Sequence, residues 1–229
     1  MAMKKKAIAL VVALVFALCC VVGGTFAWLI AETGAVKNTF TYGDINITLT
    51  ETTGSEYKMV PGNDISKDPT VTVKAGSEAC WLFVEIVEGG SVTIGESTYT
   101  FDDFLTYAIA SGWDVMDQST VNTNGGANGN DTVVIYRNQD ALTAEGAKDA
   151  AYNILAGDDT DTYKNGKVTV NTTVTKEMMN AIDGIHTDKT QAEAELAARP
   201  TLTFTAYAVQ GDNVTDVTTA WNIAKGTNN

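Results

Sequence analysis

The chain has 229 residues, 28 acidic against 15 basic side chains, and a formal net charge of −13. A surface this acidic repels phosphate backbones and anionic lipid, so nucleic acid is excluded as a partner and membrane contact is left to any apolar leader. With 45% hydrophobic residues and only 3 prolines, the chain has the means to build a core and is not of disordered composition.

The N-terminus opens with Lys4-Lys5-Lys6, an unbroken apolar run from Ala7 to Val22, and the small-residue exit Gly23-Gly24-Thr25-Phe26-Ala27-Trp28. That is the grammar of an export signal. Thr25 and Ala27 take the −3 and −1 positions of a cut before Trp28. Residues 1–27 are therefore expected to be a removable signal helix, and residues 28–229 a single exported domain. The alternative is an uncleaved anchor, since Trp28-Leu29-Ile30-Ala31 resumes the apolar run; Gly23-Gly24 opposes a smooth helix there. Lipidation at Cys19 or Cys20 is disfavoured by the bulky Leu18 before them. Removing residues 1–27 takes away three lysines and no acid, so the mature net charge moves from −13 to −16.

Phe40 to Glu51 carries Ile45, Ile47 and Leu49 in alternation with Asn46, Thr48 and Thr50, which predicts a half-buried strand. Val60-Pro61-Gly62-Asn63-Asp64 predicts a turn. Thr70–Lys74 and the more apolar Ala79–Val87 are expected strands, the second ended by Gly89-Gly90. Phe101, Phe104, Leu105 and Ala108 recur at three and four, which predicts a short amphipathic helix over 101–109. Trp113–Met116 and Thr132–Arg137 read as strands around an Asn/Gly-rich loop. Ala144–Leu155 has helix-forming composition. Lys167–Val174 and Thr201–Gln210 alternate as strands. Lys176–Ile182, Lys189–Ala198 and Thr218–Lys225 read as helical, the last with Trp221 inward. The expected fold is mainly β: a jelly-roll-like β-sandwich with short helical insertions, preceded by the N-terminal signal helix.

Cysteine chemistry is sparse. Once the leader is removed only Cys80 remains, within an apolar strand, so no internal disulfide is available and a buried small hydrophobe is expected rather than a reactive thiol. The one histidine, His186, has no His partner and no His-Glu-x-x-His spacing. Asp158-Asp159-Thr160-Asp161 begins like a calcium loop, but Tyr163 and Lys164 break the pattern. No nucleophile elbow, phosphate loop or dinucleotide fingerprint occurs. The expectation is a protein that is not an enzyme, with no catalytic residues, no metal ligands and no cofactor.

The leader ending Gly23-Gly24-Thr25-Phe26-Ala27-Trp28, followed by Asn38-Thr39-Phe40-Thr41-Tyr42-Gly43-Asp44-Ile45, resembles the TasA/camelysin family of Gram-positive surface and matrix proteins. Val60–Pro69, Cys80–Ile86 and Thr203–Gln210 with Ala220-Trp221 are similar to further family segments, while 100–165 match only loosely. The resemblance implies a jelly-roll domain, release by a SipW-type signal peptidase, and a secreted location at the cell surface or in the biofilm matrix. It also implies a biofilm fibre subunit that associates with itself or with other matrix proteins through its N-terminal segment. That segment, 28–41, would act as a donor strand with Trp28, Leu29, Ile30 and Val36 as its apolar contacts. Alternatives are a monomeric surface-binding module or adhesin, and the metallopeptidase activity described for the camelysin branch, for which this chain lacks the imidazole ligands.

Overall fold

The computed structural model describes residues 44–54, 57–117, 121, 131–158, 160, 162–183 and 198–227. The chain divides between Tyr42 and Gly43, and all described residues belong to the second unit. The expected signal, Thr25, Ala27 and Trp28, and the arm residues Leu29, Ile30 and Val36 lie outside the described residues. So do His186 and most of Lys189–Ala198.

The described unit is mainly β, with several antiparallel sheets and three helices. Its first half runs β1 (Ile47–Thr50), β2 (Asp64–Ser66), β3 (Thr70–Val73), β4 (Cys80–Gly89), β5 (Ser91–Ile94), β6 (Ser97–Thr100), α1 (Phe101–Phe104) and β7 (Leu105–Tyr107). The second runs β8 (Asp114–Val115), β9 (Asp131–Gln139), β10 (Ala150–Asn153), β11 (Lys167–Val170), α2 (Lys176–Asp183), β12 (Thr201–Gln210) and α3 (Val217–Lys225). One sheet has the order β1-β3-β10, a second β2-β11-β7, a third β12-β4-β9-β8, and β5-β6 is a hairpin.

The centre is β4. It pairs along its length with β12 (Phe204 opposite Ile86) and with β9 (Ile135 opposite Val84). Leu82, Val84 and Ile86 point into the main core with Val71 and Val73 of β3, Val168 and Val170 of β11, and Ile154. Phe83, on the other face, meets Trp221 and Ala220 of α3 in a second cluster. Both faces of β4 are thus covered, which is why its sequence reads as a continuous apolar run rather than an alternating one. Each such buried side chain contributes about 1.5–3 kcal/mol.

The ends of the elements follow local chemistry. Asn63 N donates to Val60 O at 2.9 Å around Pro61-Gly62, with Gly62 at φ +82, the type II turn that Pro-Gly favours. Asp216 caps α3 by accepting from Thr219 N at 2.9 Å. Gly226, at φ 68, closes α3 with its N–H turned back onto the last carbonyls. Trp221 faces inward with 4% of its surface exposed.

Two expected helices are corrected. The 101–109 helix stops at Phe104, after a single turn held by Thr100 N donating to Asp103 at 2.8 Å. Leu105 and Tyr107 then pair with Val170 and Val168, so a ladder to β11 replaces the next helical turn, and Ala108 is exposed. The stretch 144–155 contains strand β10 instead of a helix, because Ala150 to Asn153 pair with Val73 to Thr70. Thr201–Gln210, Thr70–Lys74 and Ala79–Val87 fall on observed strands, with ends within three residues of those expected.

Candidate functional site: an open groove between two sheet edges

β12 is the outer strand of the four-stranded sheet, and β1 is the outer strand of the β1-β3-β10 sheet. The two edges lie against each other. Between them runs a groove of about 300 Å³, open to solvent and lined by Leu49, Thr50, Glu51, Pro69, Leu202, Thr203 and Phe204. Among the described residues no strand pairs with the outer edge of either β1 or β12.

The walls follow from strand alternation. Leu202, Phe204, Ala206 and Ala208 form the inward row of β12 and pack on the main core, but each stays only partly buried. Thr201, Thr203 and Thr205 face out. On the opposite wall Ile47 packs on the core, while Leu49 keeps 37% of its surface exposed. A ten-residue edge with a half-covered apolar row is the pattern that accepts another strand.

Next to the lining residue Glu51 the contacts are polar and tightly held. Lys67 is buried with 9% exposed; its ammonium lies 2.5 Å from Glu51 Oε1 and 4.9 Å from the Tyr57 ring centroid. The Phe204 ring centroid is 6.0 Å away. Beside the pair, Asp68 accepts from Thr52 N at 2.8 Å and Thr53 N at 3.1 Å, and also binds the Thr52 hydroxyl. Burial works to raise the Asp68 carboxyl, but these hydrogen bonds outweigh it and hold the group below its ordinary range. The segment after β1 is thereby fixed, and with it the position of Glu51.

The remaining candidates are structural in their geometry. Cys80 is 2% exposed, as the apolar strand predicts, and burial pushes its thiol up to about 11. Asp158 bonds Lys167 Nζ at 3.1 Å, and the same ammonium reaches Asp64 Oδ2 at 2.8 Å. Asp159 and Asp161 lie outside the described residues, and among those described no group of three His, Cys, Asp or Glu side chains could hold a metal ion. Among the described residues no helix is long and apolar enough to cross a membrane.

The structure brings together residues that sequence reasoning left apart. The alternation places Leu49 and Phe204 on two strands, and nothing local announces that the two edges meet. Lys67 was not singled out at all; a lysine directly before Asp68-Pro69 carries no signal of burial. No family model matches the chain, and neither a curated protein nor a solved structure matches it significantly.

Proposed function

We propose that the chain is an exported structural protein of the cell surface or extracellular matrix, a fibre subunit that associates with further copies of itself. In this reading the sheets form a jelly-roll-like β-sandwich, and a SipW-type signal peptidase releases the chain after Ala27. The new N-terminal segment, led by Trp28, Leu29 and Ile30 with Val36 beyond, adds as a strand in the β1/β12 groove of the next subunit.

The observation that carries the reading is the edge of β12: ten residues without an outer partner among those described, with Leu202 and Phe204 half-covered beside the exposed Leu49. A strand entering there would gain backbone hydrogen bonds on one side and cover apolar side chains on the other. The N-terminal segment suits the place in composition, since 28–36 holds six apolar residues and a single charge, Glu32.

Sedimentation of two chains tests it, one starting at Trp28 and one at Asn38, at matched concentration. The longer is expected to form higher-order species and the shorter to remain a folded monomer. A longer chain that stays monomeric under all conditions sinks the reading and favours a monomeric adhesin, whereas equal assembly of both places the contact elsewhere.

A further inference from the structure

We infer that the flank opposite the groove gives the arm no second docking edge, because Trp113 and Arg137 shut it. The inference rests on the strand-addition reading above. β10 ends the β1-β3-β10 sheet on that side, next to β9 and β8 of the four-stranded sheet. Like β12, it is an outer strand, and it would be a second place for an arm to dock.

Three features remove it. Trp113 Nε1 donates to Asn153 O at 2.8 Å, so an outward carbonyl of β10 is already taken, and the indole is 8% exposed. Beyond Asn153 the same segment is also taken: Ala110 N donates to Ile154 O at 2.9 Å and Ala156 N to Ala108 O at 2.8 Å. Only Ala150 to Tyr152 remains, against the full Thr201–Gln210 on the other flank.

The third feature is a charge. Arg137 sits opposite Leu82 and two residues from Ile135, so it points to the inner face of its sheet. Its guanidinium carbon lies 3.5 Å from the Tyr152 ring centroid and 5.6 Å from that of Trp113. The Nε is buried and, among the described residues, has no hydrogen-bond partner. An apolar strand laid over this flank would desolvate a guanidinium that no carboxylate among the described residues neutralises, which is unfavourable. An inward-pointing charge is one of the ways sheet edges are kept from pairing.

With this flank closed, the arm of one subunit is directed to the groove flank of the next, and association through it is head-to-tail. Hydrogen exchange of the mature chain during association, read by mass spectrometry on the two flanks, tests this. Outward amides of Thr201–Gln210 are expected to exchange at least about tenfold more slowly on association, and those of Ala150–Asn153 to stay unchanged. In a Trp113→Phe, Arg137→Leu double variant both flanks are expected to gain protection, with branched or clumped species in electron micrographs. Arg137→Lys, which keeps the charge, is expected to protect one flank only.

Protection of both flanks in the wild type overturns the inference and leaves strand addition standing. A double variant that still protects only β12, while its β4 amides remain slow, overturns it too. Protection of neither flank in the wild type sinks the strand-addition reading, and this inference with it.

Discussion

Lys67 Nζ stands 2.5 Å from Oε1 of Glu51, a residue that lines the groove, and so ties the end of β1 to the segment before β3. The side chains keep only 11% and 24% of their surfaces exposed, so removing one partner leaves the other charged and poorly solvated. Glu51→Gln is expected to cost about 2–3 kcal/mol, below the cost of breaking a fully buried pair because Glu51 still reaches water. Replacing both, as Lys67→Met with Glu51→Leu, is expected to cost less than Glu51→Gln alone. Urea unfolding of the three variants checks the order.

Ile47 and Leu49 lie on one face of β1 and separate stability from association. Ile47 packs on the main core, and Ile47→Ala is expected to cost about 1–3 kcal/mol, less than at a fully buried site. Leu49, at 37% exposed, should change the stability of the isolated chain by about 0.5 kcal/mol or less when cut to Ala. The same substitution is expected to weaken association measurably, because Leu49 lines the groove. Paired urea melts and sedimentation runs distinguish the two effects.

Acid sensitivity should centre on the clasp between β2 and β11. The hydrogen bond from Lys167 leads in holding the Asp64 carboxyl below its ordinary value, followed by that from Thr169. For Asp158 the hydrogen bonds from Thr160 lead, with Lys167 after them. A carboxyl lowered in the folded state stabilises above its unfolded value of 3.8 and loses that contribution as pH falls through the folded value. Lys167 is raised, first by Asp64 and then by Asp158, so its contribution is complete below 10.5 and is lost at more alkaline pH. Urea midpoints should therefore fall as pH drops below about 4, and fall less steeply in Asp64→Asn.

Processing is tested at Ala27. A signal peptidase accepts a small residue beside the cut, and Ala27→Phe is expected to leave a membrane-held precursor. On the proposed cut, N-terminal sequencing of wild-type protein recovered from the medium should begin at Trp28; a start far from there removes the proposed cut.

Much of the β framework was legible because β4 and β12 carry long apolar patterns and because Pro61-Gly62 admits few backbone paths. The 101–109 segment misled because Phe101, Phe104 and Leu105 are all buried, as a helix would bury them, yet the partner that orders Leu105 is Val170, far along the chain. In 144–155 alanine's preference for helix yielded to pairing with Val71 and Val73, an advantage invisible in a local window. The groove was illegible for the same reason. Leu49 and Phe204 are 155 positions apart, and only the assembled sheets bring them to one groove.

The sealed position of Cys80 gives the protein a built-in clock. Among the described residues it is the one cysteine, set at the start of the central strand between Gln139 and Gln210. With its proton held up to about pH 11 and 2% of its surface exposed, it should ignore alkylating reagents for as long as that strand stays paired. Its labelling rate then reads how often the centre of the molecule opens. An oxidant would likewise find this sulfur closed off, so Cys80 should not join two copies while its strand stays paired.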